Sequence, residues 1–164
     1  MIQRKTSGGA GGLFNENGWE GYKNGFGNKT KGDFWLGLEK IHQMTLNGNW
    51  QLMLSVRGTN GGLSVQTFKN FKVSSEDEEY RLIIGSRLDS SSWGDFSVYP
   101  KCNLNSHNGA MFTTKDRDND VATGGTNRAK TYQGGFWYTT SYSCFPPTGA
   151  RNSYRETSMK IAPM

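Results

Sequence analysis

The sequence predicts one mixed helix-and-strand domain, regular in its first half and loop-rich in its second. Three observations carry this. The chain has 164 residues, the size of a single domain. Aromatic residues make up 13% and charged residues 20%, with 22 glycines, a profile of an aromatic-cored, turn-rich fold and not of a disordered chain. Hydrophobic periodicity is clear to about residue 85 and fades from residue 86 onward.

The elements follow in chain order. Gly8–Gly12 reads as a flexible turn. Phe34, Trp35, Leu38, Ile41 and Met44 lie close to helical spacing and predict a short helix over about 35–44, with Gly37 its weak point. Trp50, Leu52, Leu54 and Val56 alternate, as in a half-buried strand. The turn cluster Gly58–Gly62 and a second alternating run, Leu63–Phe68, complete a hairpin, and Phe71–Val73 continues the strand signal. Ser75–Glu79 is a solvated acidic loop or one helical turn, and Tyr80–Gly85 is a further strand. Beyond it, Asp, Asn, Ser, Gly and Pro separate isolated aromatics; so long an irregular stretch needs support from a metal, a disulfide or buried rings.

Composition excludes several function classes. Nineteen Lys and Arg against 14 Asp and Glu leave a net charge of +5, but the basic residues are scattered, with no stripe of the kind nucleic acid demands. No apolar run approaches the length of a membrane span, and Met1–Arg4 has no apolar core of a signal peptide. Cys102 and Cys144 are the two cysteines; spacing leaves open a disulfide or two buried thiols. Asn28-Lys29-Thr30 is a glycosylation sequon, which with the cysteines leans toward a secreted protein.

The densest acid cluster is Asp116-Arg117-Asp118-Asn119-Asp120. Alternating carboxylates present hard oxygens to one side, which suits calcium; a polar surface turn is the other reading. An EF-hand fails, because its glycine position falls on Val121 and its bidentate glutamate on Asn127. Catalytic constellations are missing: His42 and His107 have no metal-ligand spacing, no GxSxG occurs, and Cys102 with His107 lacks a protease signature. His42, on the helical segment, reads as a structural hydrogen-bonding residue. Gly134-Gly135-Phe136-Trp137-Tyr138 is either core or a ligand platform, with core favoured for such large rings.

These blocks together resemble the fibrinogen-like domain of fibrinogen chains, ficolins, tenascins and angiopoietins. Ile2-Gln3-Arg4 is similar to its entry strand, and Trp19–Gly27 to its W-x-x-Y-x-x-G-F-G. Asp33–Leu38 with Ile41–Thr45, Phe112–Asp120, Gln133–Tyr138 and Ser158–Met164 resemble later family blocks in the right order, over nearly the whole chain. The resemblance implies an α+β domain: a twisted antiparallel sheet with short helices over about 1–85, then a loop-rich calcium-binding C-terminal subdomain over about 86–164. It implies Ca2+ held by the carboxylates of Asp118 and Asp120 and the carbonyls of Ala122 and Gly124, with Asp116 beside the site. It implies a secreted, non-enzymatic module that binds glycans, acetylated sugars in particular, in innate defence or adhesion. The alternative is a matrix or receptor-ligand module for extracellular proteins. The ligand residues would be Tyr132, Trp137, Tyr138 and Tyr142.

Departures accompany the match. Where the family places the cysteines of its C-terminal pocket this chain has Arg128 and Ser141, and the pocket histidine becomes Tyr142. The segment Phe145–Tyr154 is shortened. A Cys102–Cys144 bond would serve as a substitute staple. No coiled coil or collagen-like segment is visible to drive oligomerisation.

Overall fold

The computed structural model describes residues 1–6, 12–30, 32–88, 104–121, 124–140 and 154–164. In chain order the elements are β1 (Gln3–Thr6), α1 (Gly12–Glu16), α2 (Trp19–Asn24), β2 (Phe26–Gly27), β3 (Phe34–Trp35), α3 (Leu38–Thr45), β4 (Trp50–Gly58), β5 (Leu63–Phe68), β6 (Lys72–Val73), β7 (Leu82–Ile83), α4 (Arg128–Tyr132) and β8 (Tyr154–Pro163). Among the described residues the main sheet has six strands in the order β2-β3-β1-β8-β4-β5, and β6 pairs with β7 separately. Every pairing is antiparallel.

The predicted hairpin is present, with Ser55 opposite Val65 and Leu52 opposite Phe68. Its alternation sets the layers: Leu52, Leu54 and Phe68 face the core, while Met53, Arg57 and Leu63 face out. The helix expected over 35–44 starts three residues later, at Leu38. Phe34 and Trp35 are instead strand residues, paired between β1 and β2. The chain then turns at Gly37, whose φ of +110 ends the strand and starts the helix. The expected strand Tyr80–Gly85 shrinks to Leu82–Ile83, and the acidic cluster forms a 3₁₀ turn at Glu76–Glu78.

The central strand β8 has no strong periodicity of its own. Its inward face mixes Thr157 with Met159, both buried, so alternation of apolar residues is faint. It lies between β1 and β4 and pairs along its length, with Ser158 opposite both Arg4 and Ser55.

Aromatic rings fill the space under the sheet. Trp35, Trp137, Tyr22, Phe112 and Phe136 are all at most 1% exposed. Phe112 touches Trp19, Tyr22, Trp35 and Trp137, joining the loop-rich half to the helices and sheet. Rings of this size each bury on the order of 150–250 Å² and dominate such a core.

Candidate functional site

The acidic turn is built from the residues around it. Phe112 and Thr113 run as extended backbone: the Phe112 N–H donates to the Glu79 carbonyl, and Thr113 pairs with Phe136. Thr114 and Arg117 close a tight turn. The residues of this turn then reach different elements. Lys115 Nζ donates to the carbonyls of Asn15 and Glu16, at the end of α1. Asp116 accepts the Trp19 N–H at 2.9 Å and the Thr114 hydroxyl at 2.6 Å. Burial pushes the Asp116 carboxyl up, but these hydrogen bonds hold it below the usual carboxylate range.

Gly18 makes that contact possible. A Cβ there would lie 2.3 Å from an Asp116 carboxylate oxygen, so only glycine lets the acid approach the first turn of α2.

Arg117 stacks on Trp19 with its guanidinium carbon 4.0 Å from the ring centre and pairs with Glu79 at 2.7 Å. The Trp19 indole N–H donates to Glu76, which also takes Lys23 Nζ at 2.6 Å; these two bonds, Lys23 first, lower the Glu76 carboxyl. Asn119 donates to Glu79 and to the Phe112 carbonyl.

The two carboxylates expected to hold calcium differ in their surroundings. Asp118 is exposed and, among the described residues, accepts the Asp120 N–H at 3.3 Å. The Asp120 side chain is 1% exposed; Oδ2 accepts the Arg128 N–H at 2.8 Å, and Oδ1 lies 3.8 Å from the Arg128 guanidinium. Gly124 is exposed with a φ of +90, and Ala122 lies outside the described residues. Among the described residues no three His, Cys, Asp or Glu side chains gather around a common point. Of the two carboxylates expected to hold calcium, one is thus exposed and the other is buried against Arg128.

The aromatic run falls on the core side of its two alternatives. Trp137 is 0% exposed and donates its indole N–H to the Tyr80 carbonyl at 2.7 Å. Tyr138 is buried, donates its hydroxyl to the Gly134 carbonyl, and is pushed far above the usual tyrosine range by burial. Tyr132 is half-buried and stacks on Tyr138 with centroids 5.8 Å apart. Tyr142, Cys102 and Cys144 lie outside the described residues.

Both histidines have structural partners. His42 Nδ1 meets the Val73 carbonyl at 2.9 Å. His107, 1% exposed, bonds the Trp137 carbonyl through Nδ1, while Nε2 is buried with no partner among the described residues. Burial lowers its pKa, and the Arg128 charge lowers it further against the opposing pull of the Trp137 carbonyl. Sequence spacing missed His107, because its partner lies 30 residues away in the aromatic run.

Angiopoietin-related protein 2 of Homo sapiens is 37% identical over 142 residues, covering 84% of this chain and 25% of the relative. Ryncolin-4 of Cerberus rynchops is 38% identical over 120 residues, covering 73% of this chain and 32% of the relative. The chain thus spans a quarter to a third of the length of these relatives. The fibrinogen-like globe domain of human ANGPTL2 superposes with a TM-score of 0.76 at 31% identity, covering 99% of this chain and 78% of that one. That of human ANGPTL6 gives 0.78 at 28%, covering 99% and 77%. The family described as fibrinogen beta and gamma chains, C-terminal globular domain, matches residues 1–161, and with the antiparallel sheet, the aromatic core and the acidic turn in place the chain belongs to that family.

Proposed function

We propose that this chain is an extracellular recognition module that docks a protein partner on its loop-rich half, with calcium at Asp118 and Asp120 bracing that half. The observation that carries the preference for a protein is the burial of Trp137 and Tyr138. A sugar pocket needs an exposed ring face on which a pyranose can lie, and these two rings have theirs packed inside. Membership of the family and the match to angiopoietin-related proteins support a binding module.

The chain's own residues supply the rigidity that docking needs. Lys115, Asp116, Arg117 and Asn119 fix the turn to α1, α2 and the Glu76–Glu79 segment, so the loops they carry lose little entropy on binding. Asp120 holds the first N–H of α4. A calcium ion, when bound, would neutralise Asp118 and Asp120 and draw on the carbonyls of Ala122 and Gly124. Arg128 already neutralises part of the Asp120 charge, so the affinity is modest and rises when Arg128 is replaced.

A second reading, binding of acetylated sugars, rests on Tyr132, whose ring is half-exposed beside the buried aromatic run. An array of acetylated glycans and a panel of extracellular protein ectodomains, probed with calcium and with chelator, separates the two. Protein signals with a silent glycan array are expected. A calcium-dependent acetylated-sugar signal that disappears in Tyr132→Ala would overturn the preference. Calcium itself is tested by melting: it should raise the midpoint, more so in Arg128→Gln, and not in Asp118→Asn. A midpoint indifferent to calcium in both the parent and Arg128→Gln removes the ion from the account.

A further inference from the structure

On the outward face of the sheet, away from the buried rings, Ser55, Arg57, Leu63, Glu156, Ser158 and Lys160 line a groove of about 150 Å³. Strand register explains how they meet. Ser55 stands opposite Ser158, Arg57 opposite Glu156, and Met53 opposite Lys160, all on one face of the β4–β8 pair. On the other side of β8, Arg4 stands opposite Ser158. Neighbouring strands lie about 4.8 Å apart and same-face residues about 6.7 Å apart along a strand. The paired serine hydroxyls are therefore flanked by Arg57 at one end, Lys160 at the other and Arg4 to the side.

The charges do not cancel. Glu156 is the one carboxylate lining the groove, and Arg4 takes it at 3.0 Å. Arg57 donates to the Gly61 carbonyl in its own hairpin, and among the described residues neither Arg57 nor Lys160 has an ion pair. Two exposed cations beside two hydroxyl donors make a shallow site for an anion. The groove is open and carries no aromatic ring, so nucleic-acid bases have nothing to stack on. Arg57 and Lys160 stand at opposite ends of the serine pair, on β4 and β8, instead of converging on one point, which suits a linear polyanion whose charges repeat along its length.

We infer that this sheet face binds a sulfated polysaccharide, with Arg57 and Lys160 taking sulfate groups and Ser55 and Ser158 donating to their oxygens. The choice of an extracellular polyanion rests on the extracellular placement proposed above. The site itself shares no residue with the acidic turn, so a failure here leaves the protein-docking reading intact.

The probe is a fully sulfated heparin-type octasaccharide, titrated against its desulfated form and against single-stranded DNA of similar charge. The sulfated chain is expected to bind, more weakly as salt rises, and the other two weakly or not at all. The double variant R57S/K160S should weaken binding about ten-fold, whereas K40S/K130S, which removes the same charge from α3 and α4, should stay within about two-fold. Should the double variant unfold, R57S and K160S singly carry the test, each expected to weaken binding about three-fold. Equal losses in R57S/K160S and K40S/K130S, full binding by R57S/K160S, or equal binding of DNA or desulfated chain would overturn the inference.

Discussion

Asp116 shows how one side chain can carry more structure than its position in a loop suggests. Its carboxylate reaches across 97 residues of sequence to the Trp19 N–H, and the approach exists because residue 18 has no Cβ. Gly18→Ala should displace the acid and cost about 1–2 kcal/mol, as the loss of a helix-capping acceptor does. Because it acts through Asp116, the double variant Gly18→Ala/Asp116→Ala should cost little more than Asp116→Ala alone in urea denaturation; additive costs would separate the two effects. His107 makes a different kind of statement. Its ring is buried neutral, with its pKa lowered by burial and by Arg128, so the unfolded chain binds a proton more readily than the folded one. The stability this contributes is complete above the ordinary histidine value of 6.5 and is lost as pH falls from there through the lower folded value. Melting from pH 7.5 downward should show the midpoint falling below about 6.5, and His107→Gln should flatten that part of the curve.

At the scale of elements, what the sequence reveals depends on whether an element's pattern is local. The β4–β5 hairpin was legible because each strand alternates by itself and glycines mark the turn. Helical spacing starts the helix three residues too early, because Phe34 and Trp35 match that spacing while their backbone is claimed by β1 and β2. β8 is hidden from periodicity by its buried Thr157. Helix α4 is too short for a periodic signal; it is set by its cap. The Asn127 side chain accepts the Lys130 N–H at 3.0 Å and donates to the Thr114 carbonyl at 2.9 Å, so one residue starts the helix and moors it to the acidic turn. Asn127→Ala should cost about 1–2 kcal/mol and raise amide exchange in α4 and at Thr114 ahead of the sheet; an unchanged exchange pattern would show that the mooring is dispensable.

For the molecule as a whole, the acidic turn adds a polar fastening between the two halves of the chain to those made by β8, between β1 and β4, and by Phe112 in the core. Sequence spacing locates the turn and leaves a calcium site and a polar surface turn as its two readings. Spacing could not display the long-range partners of Asp116, Arg117 and Asn119, which lie in α2 and the Glu76–Glu79 segment. The burial of Trp137 agrees with the core reading that the size of such rings favours. Urea denaturation of Asp116→Ala and Asp118→Ala, side by side in chelator, tests the fastening most directly. The account predicts a loss of about 1–2 kcal/mol for Asp116→Ala and almost none for Asp118→Ala, because without metal only the first carboxylate holds another element. Equal losses, or a larger loss for Asp118→Ala, would contradict it.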